Sequence, residues 1–176
     1  MDNNSVEKYS QKFAKGKPIT VFIRVFMILG VITGFITLLA PFVNIMYFHP
    51  KAFTLVQAIE YKFDCFALIV SILISMIIST FLITTLNLIT KKQLKKVFIL
   101  NVVGVVLCFV AVALLFYGSE TVLYDIELNF AIRVDKSIGF YTSYVAVFIP
   151  LIFNTLFAIT SGLIVFGVPY EKVFND

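Results

Sequence analysis

Apolar residues fill this chain in long uninterrupted runs. Residues 25–48, 65–90, 97–119 and 137–170 contain no Asp, Glu, Lys or Arg. A bilayer-spanning helix needs about 20 consecutive apolar residues. The pattern therefore predicts four such helices, over 20–47, 65–90, 97–118 and 141–168, in one domain spanning 1–176. Six residues join the second and third runs, Lys91-Lys92-Gln93-Leu94-Lys95-Lys96, and four of them are lysines. Two apolar runs around a basic turn form a helical hairpin with the turn held at one membrane surface. The expected fold is a four-helix membrane bundle.

The joints between the runs have patterns of their own. In 48–64 the piece Ala52–Ile59 fits either a strand or a short interfacial helix, with Phe53, Val56, Ile59 and Tyr61 loosely on one face. In 119–140, Val122, Tyr124, Ile126, Leu128, Phe130, Ile132 and Val134 hold every even position, and Asp125, Glu127, Asn129, Arg133 and Asp135 hold most odd ones. Period two predicts a strand with one buried face, bent or folded into a hairpin near Leu128–Asn129. A lone strand leaves its edges unpaired, so the first joint is its expected partner. The two joints together would form a small β-rich cap outside the cytoplasm.

Within the runs, small residues recur at helical spacing. Gly30 and Gly34 form one G-x-x-x-G pair, and Ala158 and Gly162 form a small-x-x-x-small pair. Ser71, Ser75 and Ser79 make a stripe along one helix face. Such faces let helices approach closely, and helix packing is the expected role of all seven residues. A hydroxyl stripe would also suit a pore lining. Asn87 and Asn101 sit at similar depth on either side of the lysine turn, placed for a hydrogen bond across the hairpin. Pro150 predicts a kink, with Asn154 and Thr155 near enough to satisfy the carbonyl it frees.

Composition agrees with lipid as the solvent. The chain is 60% hydrophobic and 14% charged, with a mean hydropathy of +1.00; soluble domains are about a quarter charged. The basic start followed by an apolar run suits a signal peptide, but the run is too long for an h-region and lacks a small-x-small cleavage site. It is read as a retained helix. Lys8, Lys12, Lys15, Lys17, Arg24, Lys91, Lys92, Lys95, Lys96 and Lys172 fall on one side, and only Lys51, Lys62, Arg133 and Lys136 on the other. The positive-inside rule then puts both termini in the cytoplasm. The net charge of +4 is accounted for by these flanks, so no nucleic-acid partner is expected.

Chemistry is sparse. No Asp, Glu, Lys or His lies deep in a predicted span, which argues against proton-coupled transport. The single histidine, His49, completes no catalytic set or metal site with the two cysteines. Cys65 and Cys108 differ in predicted depth by about 16 Å, too far for a disulfide. Neither a metal nor a cofactor is expected, and no enzymatic activity.

Four spans, two outer joints and a basic inner turn resemble claudin-like tetraspan proteins. The Trp and Cys pair of the claudin first outer loop is missing. Pro41-Phe42-Val43, Ala52-Phe53-Thr54-Leu55 and Gly139-Phe140-Tyr141 look like small four-helix membrane proteins of low-GC Gram-positive bacteria. The resemblance implies the fold and a bacterial plasma membrane, and carries no activity over. The expected function is an accessory, scaffold or immunity-type membrane protein. Its partners would be the lipid bilayer and a membrane or extracytoplasmic protein, met through the cap and the helix faces. The alternative is a homo-oligomeric channel or transporter subunit using the serine stripe.

Overall fold

The structure, a computed structural model, describes residues 18–45, 51–87, 94–130 and 134–167. Helix α1 (Pro18–Leu39) starts on a proline, whose missing N–H is not needed in a first turn. It stops at Ala40, because Pro41 disfavours helical backbone in the residue before it. The charge-free run predicts this helix as far as Tyr47. Instead, Pro41–Ile45 is strand β1, with Pro41 at its first position, where no ladder N–H is required.

Strand β2 (Lys51–Thr54) runs straight into a short helix, α2 (Leu55–Glu60), so both readings of Ala52–Ile59 hold in part. Thr54 ends the strand and caps the helix. Its Oγ1 accepts from the Gln57 N–H at 3.2 Å, and Gln57 Oε1 accepts from the Thr54 N–H at 3.0 Å, a reciprocal capping box. The helix ends with Phe63 N–H donating to Ala58 O and Lys62 N–H to Ile59 O. This Schellman geometry demands a left-handed residue, and Lys62 supplies it at φ 62°.

Helix α3 (Phe66–Asn87) and helix α4 (Leu94–Phe130) follow, then strand β3 (Val134–Lys136) and helix α5 (Ile138–Val165). The sheet has the order β2-β1-β3, antiparallel throughout, with Asn44 opposite both Ala52 and Asp135. A three-stranded sheet therefore exists, but its centre comes from residues assigned to the first span.

The larger correction concerns α4. Residues 119–130, expected as a strand, continue the third helix without a break to 37 residues. Val122 and Ile126 are buried, while Tyr124 and Leu128 are 64% and 66% exposed. With Leu115 and Ser119, the buried line has helical spacing. Extending an existing helix adds one hydrogen bond per residue fixed, whereas a strand here would have had to find a new edge.

The long helices form a ring of antiparallel neighbours, α1 against α3, α3 against α4, α4 against α5, and α5 against α1. One buried cluster runs from the cap (Phe42, Phe53, Leu55, Val122, Ile126, Phe140) into the bundle (Leu68, Ile72, Leu115, Val147). A second, with Met27, Ile78, Leu82, Val97, Cys108 and Phe157, fills the lysine end. The bundle's outer surface is apolar on all sides, including Ile32 and Phe35 on α1, Ile77 on α3, Phe109 on α4 and Ile152 on α5. Among the described residues, four helices are long and apolar enough to cross a membrane.

Candidate interaction site

The small residues singled out in the sequence sit at helix contacts. A Cβ on Gly30 would lie 3.2 Å from Ser79 Oγ and 3.5 Å from Ile149, and one on Gly34 would crowd Met76 at 2.7 Å. The G-x-x-x-G face of α1 is thus occupied by α3 and α5 of the same chain. Ser71, Ser75 and Ser79 are all buried. Ser71 Oγ donates to Ala111 O of α4 at 2.6 Å, and Ser75 Oγ donates back to Ser71 O at 3.0 Å, as hydroxyls in apolar helices commonly do. Ser79 Oγ has no hydrogen-bond partner among the described residues.

Asn154 is held by a different partner from the one expected for it. Asn154 Nδ2 donates to the backbone carbonyl of Asn101 at 3.2 Å, which ties α5 to α4. Its amide is committed there and not to the carbonyl freed by Pro150. Gly104 makes the approach possible, since a Cβ at that position would meet the Asn154 amide. The Asn101 side chain is buried with no partner among the described residues. The side chain of Asn87, its expected partner, lies outside the described residues.

Ala158 and Gly162 have a different setting. They form the floor of an apolar groove of about 430 Å³ between α4 and α5, open to the outside of the bundle and walled by Phe98, Val102, Val106, Ile159 and Phe166. Lys95 and Lys96 are exposed in the first turn of α4. Lys91 and Lys92 lie outside the described residues, as does His49.

At the opposite end, the last three turns of α4 stand beside the sheet. Tyr117, Glu120, Tyr124, Glu127 and Leu128 are exposed along one side of it. Asp125 Oδ2 accepts from the Asp64 N–H at 3.0 Å, and Asp64 Oδ1 accepts from the Phe66 N–H at 3.2 Å. These bonds clamp the start of α3 to α4. A strand pattern conceals this tyrosine stripe, although spacings of three, seven, ten and eleven from Tyr117 were the available signal. The groove left no signal, because it is made by two helices meeting.

Both cysteines are unpaired and buried. Cys65, just before α3, has its thiol pushed from the ordinary 9.0 up to about 11 by burial, then by the nearby Asp64 and Asp125 carboxylates. The native state therefore holds a proton that the unfolded chain releases between pH 9 and about 11. Its contribution to stability is intact below pH 9 and declines through that window. A maleimide at pH 7.5 is expected to leave Cys65 unmodified in the folded protein and to label it after denaturation. Rapid labelling of the folded protein, in a Cys108→Ala background, would contradict the burial.

No group of three potential metal-ligating side chains occurs among the described residues. The chain matches no protein-family model, no curated protein and no solved structure.

Proposed function

We propose that this chain is a multi-pass plasma-membrane protein, with the lysine turn and both termini in the cytoplasm and the sheet-bearing end outside. It works without enzymatic chemistry, as an accessory, scaffold or immunity-type protein that engages a protein partner through the cap. The observation that carries this reading is the division of the surface. The bundle wall is apolar throughout, as lipid requires, whereas the overhanging end of α4 presents two tyrosines with Glu120 and Glu127 between and beside them. Exposed tyrosines are common interface anchors. A photo-cross-linking residue at Tyr124, in native membranes, is expected to capture one protein in near-stoichiometric amount. The same probe at Ile77 is expected to capture lipid alone. Equal protein capture at both positions, or none at Tyr124, would refute the assignment.

The serine stripe distinguishes this reading from the channel alternative. Ser75 is 1% exposed, so Ser75→Leu is expected to overpack the α3 contact and lower stability by about 1–3 kcal/mol, measured by thermal aggregation in detergent. Ser75→Cys is expected to resist water-soluble thiol reagents in liposomes. Reaction there, together with ion flux, would favour a channel subunit.

A further inference from the structure

We propose that the groove between α4 and α5 is a binding site for an anionic phospholipid, with one acyl chain lying along Ala158 and Gly162 and the phosphate on Lys95. The inference rests on the membrane reading above. Its first support is position. Groove residues Phe98, Val102, Val105 and Val106 follow one face of α4, and Lys95, three residues before Phe98, stands over that same face at the groove's end. Lys95 is exposed, and Lys96 beside it is too. Their flexible stems let the ammonium groups reach a headgroup plane. Residues 98–106 span about 12 Å, close to the roughly 15 Å depth of one leaflet's hydrocarbon.

The second support is shape. The floor is made of small residues, whereas Val106, Ile159 and Phe166 stand 57%, 55% and 78% exposed around it. A slender flexible chain can lie between such side chains. A second helix is favoured less, since close helix approach in lipid is helped by small residues and here they are confined to the floor. The third support is charge. Helix α4 carries no acid before Glu120, and α5 carries none at all, so nothing on either groove helix neutralises the lysine pair. The complementary headgroup is therefore anionic.

The test uses the full-length protein reconstituted in nanodiscs of equal phosphatidylglycerol and phosphatidylcholine. The lipid retained after mild detergent extraction is then quantified. Wild type is expected to retain phosphatidylglycerol several-fold over phosphatidylcholine. Lys95→Gln with Lys96→Gln is expected to remove that preference, each lysine being worth roughly fivefold near an anionic surface. Val106→Trp, which fills the groove from its exposed side, is expected to lower retention of both lipids while melting like wild type. Ile159→Trp replaces it should Val106→Trp fail to fold. Equal retention of the two lipids by wild type would overturn the proposal. So would a preference that survives the groove-filling variants, which would mean a headgroup contact alone. A dimer that either variant splits would identify a second copy as the occupant. Protein that alkaline carbonate strips from membranes would instead refute the membrane reading itself.

Discussion

Gly118→Ala is expected to cost the bundle about 3 kcal/mol, the upper end of the range for overpacked cores. A methyl at Gly118 would overlap the Leu68 backbone nitrogen and lie 2.9 Å from Leu68 Cα and 3.0 Å from the Ala67 carbonyl carbon. Those are main-chain atoms of α3, so no rotamer change relieves the overlap and the two helices must separate. Separation would also stretch the Ser71 Oγ bond to Ala111 O on the same seam. Gly162→Ala is the informative comparison. Its added methyl would meet the Phe98 ring at 2.8 Å, and a ring at an open groove can swing aside. Chemical unfolding in mixed micelles should rank Gly118→Ala well below Gly162→Ala. Equal losses would mean that the α3 backbone yields as readily as a side chain.

Phe42→Ala is expected to lose about 3–5 kcal/mol, as buried Phe truncations do. Phe42 is 1% exposed in β1, and its ring centroid lies 5.5 Å from that of Phe140 at the start of α5. The same ring belongs to the cluster holding Phe53 of β2 and Ile126 of α4. It therefore joins the sheet to two helices. The variant should show early proteolytic cleavage between β2 and α3 while the apolar helices remain protected. A melting curve within error of wild type would show that the cap is held some other way.

The bundle was legible because lipid asks so little of a sequence. A charge-free run long enough to cross has few alternatives to a helix, so the centres of all four could be placed from residue type alone. The cap obeys tertiary choices that residue type leaves open. Pro41-Phe42-Val43-Asn44-Ile45 continues the charge-free run of the helix before it, and only pairing with β2 and β3 makes it a strand. Val122 and Ile126 satisfy period two and also the i, i+4 spacing of a helix. The alternation favours a strand because Tyr124 and Leu128 extend the same even-numbered series, and those two prove to be exposed. Small residues could be marked in advance, but their neighbours could not. Gly30 met Ser79 within the chain, whereas Gly162 helped to open a groove.

The unbroken length of α4 has a mechanical corollary. A rod of 37 residues measures about 55 Å against a hydrocarbon slab of about 30 Å, and it has no joint at which to shorten. On the proposed topology it can only tilt or overhang, so at a given tilt a thicker membrane draws the tyrosines toward the lipid headgroups and a thinner one leaves them clear. In that topology, the reach of that end beyond the bilayer is then set by the thickness of the lipid around it and by the tilt of the rod.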